Sequence, residues 1–366
     1  MTGRRALAVA SVTAAVVAIA GCSPQDPPAP SASIPATAST SPSASTADRP
    51  DTGVEAWPDH GDFVIDANKA VLPAYNLTTE QRWEDHDYLW RIANTAQARW
   101  VGSWEDDVRV AGLAREVYKK AADTGRVGLI AYQGMRDYPC ERAAAETELS
   151  LAYEARTEAL VDELPGIGSQ AWIVVEPALI PTLDTCEGDP RGNWLDYASN
   201  TIAANGATVY LDASGLTDRS PEEAAALLAT LDLAPVAGFS LNVGRHHATA
   251  DQVAWGEELL AELEALGVPV DEPRPGNDPG EPGLGLIVDT SRNGVPLDGE
   301  QCNAAEAGIG AAPRLVGEGA LDAVVWIKRP GESDGSCNGG LGIGQFAQAK
   351  ALELARRGQL GPTDSK

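Results

Sequence analysis

The chain has 366 residues and a formal net charge of −26, from 53 acidic and 27 basic side chains. This excess of negative charge disfavours nucleic acid or an anionic surface as a partner, and a neutral polymer such as a polysaccharide fits better. The length suits one large α/β barrel or two ordinary domains after an N-terminal leader.

The first 21 residues form a predicted export signal. Arg4 and Arg5 provide a basic start, and residues 6–20 are a small-residue apolar core that is short for a membrane span. The core ends in I-A-G-C, which resembles a bacterial lipoprotein signal cut just before Cys22. A diacylglyceryl group on Cys22 would anchor the protein stably. We therefore expect an exported protein, lipid-anchored to the outer face of the bacterial cell membrane; an ordinary secretory signal is the alternative.

Residues 22–55 form a predicted tether that is rich in proline, serine, alanine and threonine. Such a segment buries too little apolar surface to fold and is expected to be extended. Residues 56–366 then form a single predicted domain. Four cysteines follow Cys22, and in an oxidising compartment they predict two disulfides, for which the sequence alone allows three pairings.

Short apolar segments recur along this domain and have the composition of strands buried on both faces of a parallel sheet. They lie at 98–101, 127–132, 171–176, 207–212, 236–242, 284–289 and 322–328. Helical patterns lie between most of them, at 106–124, 143–163, 194–205 and 345–357. Capping boxes predict two more helix starts, at Ser220 and Thr249, and Gly267 is predicted to end the second helix.

Strands that alternate with helices predict an α/β fold, a distorted and nearly closed barrel of about seven parallel strands. An open doubly wound sheet is the alternative. Six of the strands end in or just before a polar residue, namely Tyr132, Glu176, Asp212, Asn242, Asp289 and Lys328. In a barrel the carboxyl ends of the strands converge around one cavity, where barrel enzymes have their active sites. These polar residues therefore favour the barrel over the open sheet.

The segment W-I-K-R-P-G-E-S-D-G, residues 326–335, is the richest in charged side chains that follow a strand. It holds Lys328, Glu332 and Asp334 on a turn shaped by proline and glycine. Cleavage of a glycosidic bond with inversion needs a base that activates water and an acid that protonates the leaving oxygen. Asp334 beside Lys328 is therefore a candidate base.

Two other strands are also followed by charged groups. Arg136 and Asp137 follow the second strand, and Arg292 follows the sixth. Near the end of the first strand, Trp100 and Trp104 have the flat apolar rings that stack on sugars, although both are equally suited to the core or the rim. These residues together predict a carbohydrate site.

Eight segments of the chain together carry a family resemblance. They are I-A-N-T-A-Q-A-R-W-V-G-S-W (92–104), L-I-A-Y-Q-G-M-R-D (129–137), W-I-V-V-E-P (172–177), V-Y-L-D-A (209–213), G-F-S-L-N-V (238–243), I-V-D-T-S-R-N-G (287–294), Q-C-N (301–303) and W-I-K-R-P-G-E-S-D-G (326–335). With these segments the chain resembles glycoside hydrolase family 6, the cellobiohydrolases and endoglucanases that act on β-1,4-glucan. The segments occur in the family's order between Asp62 and Arg357, and the match is specific because several occur together. The resemblance implies a distorted barrel of about seven strands and an inverting glucanase.

The resemblance implies a role for each matched residue. Asp334 corresponds to the proposed catalytic base, and Asp137 to the aspartate that supports the catalytic acid. Substrate-contacting or site positions are implied for Trp100, Tyr132, Asp212, Lys328 and Glu332. Their positions after strands add Asn242 and Arg292 to the predicted substrate-binding residues. The resemblance also implies the disulfides Cys140–Cys186 and Cys302–Cys337.

The chain departs from the family pattern at the residue that carries the acid. The family motif is E-P-D, with the general acid on its aspartate, whereas this chain has Glu176-Pro177-Ala178. The resemblance thus implies a vacant acid position at Ala178. Sugar platforms also differ, because Ser214-Gly215-Leu216 stands in place of a histidine and tryptophans, and Gln301 in place of the tryptophan of W-C-N.

Three alternatives follow and stay open at this stage. Another carboxyl group, of Asp137, Glu176 or Asp184, delivers the proton and the chain is an active glycosidase. Alternatively, the chain is a non-catalytic envelope lipoprotein that binds a β-linked glucan or another envelope glycan. In the third alternative it has a structural or partner-binding role. No cofactor or metal is expected, because His246-His247 has no third ligand at a convincing spacing.

Overall fold

The computed structural model describes residues 49–358, apart from 56–58, 136–137, 163, 165–169, 186, 274–282 and 300–301. The predicted signal and most of the tether lie outside the described residues. So do five residues of the predictions above, and what was predicted for them stays a prediction. They are Cys22, Arg136, Asp137, Cys186 and Gln301. No helix among the described residues is long and apolar enough to cross a membrane.

One eight-stranded sheet forms the centre of the domain, in the order β1-β2-β3-β4-β5-β6-β8-β7. β1 to β6 and β8 are parallel, and β7 pairs with β8 in the antiparallel direction. All seven predicted strands form, and β7 is an additional one. The strands are β1 (Arg99–Gly102), β2 (Gly128–Gln133), β3 (Ala171–Val175), β4 (Thr208–Asp212), β5 (Gly238–Leu241), β6 (Gly285–Asp289), β7 (Arg314–Glu318) and β8 (Leu321–Val325).

Helices precede the sheet and connect its strands. Those that touch the strands most closely are α3, α6 and α8, as expected for crossover helices between parallel strands. The helices are α1 (Val71–Thr79), α2 (Trp83–Ala93), α3 (Asp107–Thr124), α4 (Cys140–Ala145), α5 (Glu148–Val161), α6 (Arg191–Ala204), α7 (Pro221–Leu228), α8 (Thr249–Ala265) and α9 (Gln348–Arg357).

The predicted helix starts have mixed outcomes. The capping box before α7 is confirmed, since Ser220 and Glu223 exchange side-chain to backbone hydrogen bonds of 3.2 Å in both directions. The box at Thr249 is wrong, because Ala248 occupies the cap position and the Thr249 hydroxyl accepts from Asn293 instead. The helix predicted over 143–163 is two helices, α4 and α5.

Side chains alternate along the strands between two apolar layers. The layer inside the barrel includes Leu129, Ala131, Trp172, Val174, Ile287 and Ile327. The layer between sheet and helices includes Ile130, Tyr132, Ile173, Val175, Val209 and Leu211. The sheet is thus covered on both faces, which is why its strands are nearly continuous apolar runs.

The sheet curls until its first strand meets the segment after β8. The N–H of Ala98 donates to the carbonyl of Trp326 at 2.8 Å, and the indole N–H of Trp100 donates to the carbonyl of Ile327 at 2.7 Å. The Arg329 guanidinium also donates to the carbonyl of Ala98, at 2.8 Å. These contacts confirm the distorted, nearly closed barrel over the open doubly wound sheet.

Candidate functional site

A cleft of about 1260 Å³ opens where the parallel strands end. Loops after six parallel strands contribute to its lining, as expected when the carboxyl ends of the strands converge. The structure brings many of the predicted site residues together here. They are Trp100, Ala178, Asp212, Arg292, Lys328, Glu332 and Asp334.

Asp334 is held between two cations in the loop after β8. One carboxylate oxygen lies 2.8 Å from the Lys328 ammonium, and the other lies 2.7 Å from the Arg292 guanidinium. The second oxygen also accepts from the backbone N–H of Asn303 at 2.8 Å. Burial alone would raise the pKa of Asp334, but the charges of Arg292 and Lys328 and these hydrogen bonds outweigh it and lower the pKa to about 2.

The loop that carries Asp334 is fixed by Asn303 and a disulfide. The Asn303 side chain accepts from the backbone N–H of Asp334 at 3.0 Å and donates to the carbonyls of Gly335 and Cys337. The neighbouring Cys302 is bridged to Cys337, so the predicted Cys302–Cys337 pairing is confirmed. Asn303 therefore positions the loop that carries Asp334. Its place in the Q-C-N segment is the sequence signal for this role.

Glu332 also lies between cations. Its carboxylate is 3.2 Å from the ammonium of Lys69 and 3.8 Å from the guanidinium of Arg329. Lys69 precedes α1, so an N-terminal segment without a recognisable motif contributes to the cleft. Sequence reasoning missed Lys69 for this reason.

Glu176 is at the end of β3, but its side chain turns away from the cleft. It is 1 % exposed, and its carboxylate accepts from the backbone N–H of Gly134 at 2.7 Å and of Met135 at 3.2 Å. Burial raises the pKa of Glu176 to about 7 against these hydrogen bonds. Its function in the fold is to hold the loop after β2.

Ala178 is exposed on the wall of the cleft, and a methyl group is all that it presents there. Its φ of 69° lies in the left-handed region, which alanine rarely adopts. Its backbone N–H donates to Asp212 at 2.8 Å. The backbone turn after β3 is therefore tied to the end of β4.

Asp212 lines the cleft with almost no exposed surface of its own. Besides the N–H of Ala178, it accepts from the hydroxyls of Ser214 at 2.6 Å and Ser240 at 3.0 Å. Burial raises the pKa of Asp212, and these donors oppose that effect. Its carboxylate thus joins the turns after β3 and β4 to strand β5.

Two aromatic residues stand at the other side of the cleft. Trp100 is half-buried and oriented by its hydrogen bond to Ile327, while Trp104 is 42 % exposed. Both line the cleft. Flat apolar rings suit stacking on the C–H surface of a sugar.

Two predicted substrate-binding residues do not reach the cleft. Tyr132 lies on the helix side of β2, where its hydroxyl is 3.0 Å from Thr157 of α5, because strand alternation points it away from the barrel interior. Asn242 is buried in the turn after β5, and its amide donates to the carbonyls of His247 and Asp289. Both residues support the site from behind rather than contact a ligand.

The remaining predicted residues lie away from the cleft or outside the residues that the structure describes. Asp184 forms an exposed ion pair with Arg219 at 2.6 Å and is not among the residues that line the cleft. Asp137 lies outside the described residues. Cys140 is disulfide-bonded, but because Cys186 is not described, its predicted pairing stays a prediction. Within the described ranges, no group of three or more His, Cys, Asp or Glu side chains is arranged to hold a metal.

Sequence reasoning also missed several basic residues of the cleft. Arg99 and Arg329 lie beside the barrel seam, Arg109 lies in the first turn of α3, and Arg245 follows β5. Only Arg329 belongs to the charged segment 326–335. Arg99 is in β1, and Arg109 and Arg245 come from a helix and a loop whose composition carries no signal for a site.

A nearly closed β/α barrel with tryptophans and paired charges at its strand ends defines a protein of the glycoside hydrolase type. The sequence profile of Glycosyl hydrolases family 6 matches residues 62–354. The chain belongs to this family.

Relatives and solved structures agree with this assignment. The chain is 32% identical over 276 residues to Endoglucanase A of Cellulomonas fimi, with 74% of this chain and 56% of that protein covered. It is 34% identical over 276 residues to Endoglucanase 1 of Streptomyces halstedii, with 72% and 79% covered. Its fold is similar to the endoglucanase Cel6 from Mycobacterium tuberculosis in complex with methyl-cellobiosyl-4-deoxy-4-thio-β-D-cellobioside, with a TM-score of 0.66, 27% identity, and 81% of this chain and 97% of that chain covered. The chain thus spans little more than half of the Cellulomonas protein.

Proposed function

We propose that the protein binds a β-linked glucan chain in its cleft and cleaves an unactivated glycosidic bond only slowly. Family membership, the endoglucanases among its relatives and the tryptophan-flanked cleft support the choice of ligand. The observation that supports slow cleavage is the alanine at position 178. Its methyl group lies on the wall of the cleft at the position of the acid in the E-P-D motif.

No described carboxyl group near Ala178 is free to replace that acid. Glu176 is buried against backbone N–H groups, and Asp212 accepts hydrogen bonds from its neighbours on both oxygens. A general acid contributes about 10²–10⁴-fold to such a reaction. Its loss is most costly when the leaving group is a sugar hydroxyl, because this group departs poorly without a proton.

A second candidate function is the hydrolysis of bonds whose leaving group needs no proton. Asp334 is ionised at neutral pH, and it is aligned by Lys328 and Arg292. An ionised carboxylate beside the site can stabilise the positive charge that develops on the sugar in the transition state. This part of the machinery is present and would act on an activated donor.

One set of assays tests the proposed function. Wild type and Ala178→Asp are given cellohexaose and a β-cellobioside with a good aromatic leaving group, and binding is followed by calorimetry. We expect the wild type to bind cellohexaose without efficient cleavage, and Ala178→Asp to cleave it about 10²–10⁴-fold faster. Wild-type cleavage of only the activated donor would establish the second candidate.

The matched control is Ala229→Asp at the end of α7, an exposed position outside the cleft, which should leave both reactions unchanged. Efficient cleavage of cellohexaose by the wild type would contradict the proposal. Absence of binding and cleavage by all proteins would point instead to a structural or partner-binding role in the envelope.

We also propose that the protein is exported and held at the outer face of the membrane by a lipid on Cys22. The I-A-G-C sequence and the tether after it support this location. Cys22→Ser should release the protein into the medium and abolish incorporation of a labelled fatty acid. A Cys22→Ser protein that is still membrane-bound and labelled would refute the lipid anchor.

A further inference from the structure

The cleft has the opposite charge balance from the chain as a whole. In the full sequence, 53 acidic residues outnumber 27 basic ones. Among the described residues that line the cleft, lysines and arginines outnumber the four carboxylates, Glu105, Asp212, Glu332 and Asp334. Basic residues are therefore concentrated in this cleft, although the chain as a whole is strongly acidic.

Two of these cations, Arg99 and Arg245, are paired with Asp66 and Asp218 outside the lining of the cleft. The carboxylates that line the cleft do not neutralise the others. Asp334 is shared by Lys328 and Arg292, and Glu332 is shared by Lys69 and Arg329. Each group of three therefore keeps one positive charge. Burial, and after it the charge of Arg292, lowers the pKa of Lys328, as expected where cations are crowded.

Arg109 adds a further positive charge at the rim. It is exposed, lines the cleft with Trp104, and forms no ion pair with any described residue. It lies in the first turn of α3, where a cation opposes the helix dipole. Helix stability therefore gives no reason for an arginine at this position, whereas an anionic ligand beside Trp104 would.

The loop after β5 has a similar character. Arg245 lines the cleft and is braced by Asp218 with two hydrogen bonds of 2.9 and 2.8 Å. Across from it, Ser214 and Gly215 occupy the stretch where the family has aromatic sugar platforms. This part of the cleft thus offers a guanidinium and small residues in place of rings that suit a neutral sugar.

We propose that the saccharide bound in the cleft is anionic, a β-linked chain whose sugars carry carboxylate or sulfate groups. This inference rests on the proposed function, because it names the class of saccharide for the same cleft. The net charge of the chain favoured a neutral polymer, but charges beyond about 10 Å are largely screened at physiological salt. At contact distance the cations of the cleft determine which saccharide binds. A guanidinium can pair with a carboxylate or sulfate through two parallel hydrogen bonds.

The test compares three hexasaccharides that differ only at C6. They are cellohexaose, the corresponding β-1,4-linked hexaglucuronate, and cellohexaose sulfated at C6, and affinity is measured by calorimetry at 25 and 300 mM NaCl. At 25 mM we expect at least one charged hexamer to bind about fivefold tighter than cellohexaose for each charge pair formed. This advantage should shrink at 300 mM, while the affinity for cellohexaose stays constant.

Arg109→Gln and Lys119→Gln remove the same charge from one helix, but only Arg109 lines the cleft. Arg109→Gln should reduce the preference for the charged hexamer severalfold, and Lys119→Gln should not. A preference for only the glucuronate or only the sulfated chain supports the proposal and identifies the anion. Cellohexaose binding as tightly as both charged chains would overturn it and leave the proposed function intact. Absence of binding by all three would overturn both.

Discussion

Two walls of the cleft use their carboxylates in opposite ways. The donor wall, formed by Glu176, Pro177, Ala178 and Asp212, turns its acidic groups toward backbone N–H groups and serine hydroxyls. The cation wall, formed by Arg292, Lys328, Glu332 and Asp334, keeps its acidic groups in the cleft, each between two cations. At the turn after β3, the exposed side chain on the donor wall is the methyl group of Ala178.

The difference between the walls separates carboxylates that stabilise the fold from a position at which the fold needs none. Glu176 and Asp212 hold three loops together, so their loss would disturb the backbone of the donor wall. A carboxyl group at position 178 would be exposed and would hold no loop in place. It can therefore be absent while the barrel and the cleft are retained, whereas the ion pairs of the cation wall also position the loop that carries Asp334.

The largest expected effect comes from a double variant in which the acid of the donor wall is restored and the carboxylate of Asp334 in the cation wall is removed. Adding Asp334→Asn to Ala178→Asp should lower the rate of cellohexaose cleavage about 10²–10⁴-fold and so cancel the gain, because the two carboxylates act on the same bond. Initial rates of product release measure this effect. Adding Asp251→Asn, an exposed position on α8, is the matched control and should change little. Full activity of the double variant would show that Asp334 is not the base.

The two walls should also respond oppositely to pH. The pKa of Glu176 is raised from 4.5 to about 7 in the folded protein. The folded state therefore binds this proton more tightly than the unfolded chain does. The contribution of Glu176 to the free energy of unfolding should be complete below pH 4.5 and fall by about 3 kcal/mol as pH rises through 7. Urea unfolding between pH 2 and 8 measures this slope.

The pKa of Asp334 is lowered from 3.8 to about 2, so its contribution has the reverse sign. About 2 kcal/mol of stability is present above pH 3.8 and is lost as pH falls through 2. Glu176→Gln should flatten only the slope between pH 4.5 and 7, and Asp334→Asn only the slope below pH 3.8. Equal slopes in both variants and the wild type would mean that neither wall is coupled to stability as described.

Much of the fold was predictable because buried parallel strands leave a strong local pattern. Each apolar run became a strand, with bounds that differ by a few residues. β7 was missed because Arg314–Glu318 is mostly exposed and has no apolar run. α1 and α2 were missed because they precede the alternating strands and helices from which the fold was predicted.

The candidate site was predictable where a residue follows a strand and its side chain points into the barrel. Asp334 and Lys328 satisfy this condition. Tyr132, near the end of β2, and Asn242, just after β5, are also at strand ends. Tyr132 points toward α5 and Asn242 closes a turn, because the end of a strand does not reveal the direction of a side chain. The basic residues Lys69 and Arg109 reach the cleft only through tertiary packing, so no local pattern announces them.

The smallest expected effect concerns the backbone of the donor wall. Ala178 has a φ of 69°, a conformation that costs an L-residue about 1–2 kcal/mol and suits glycine, asparagine or aspartate better. Ala178→Gly should therefore raise the free energy of unfolding in urea by about 0.5–1 kcal/mol, after the entropic cost of glycine is subtracted. Ala229→Gly, at a φ of −65°, should show only that cost and lower the free energy.

Ala178→Asn should be stabilising for the same reason as Ala178→Gly, though less so, because its short amide also tolerates the left-handed region. A destabilised Ala178→Gly would mean that the methyl group packs favourably and that the turn has adapted to alanine. The expected gain would mean that the turn still has the shape that suits an aspartate. Restoration of the acid would then require one side chain and no movement of the backbone, which is why the donor wall can lose or regain its acid independently of the cation wall.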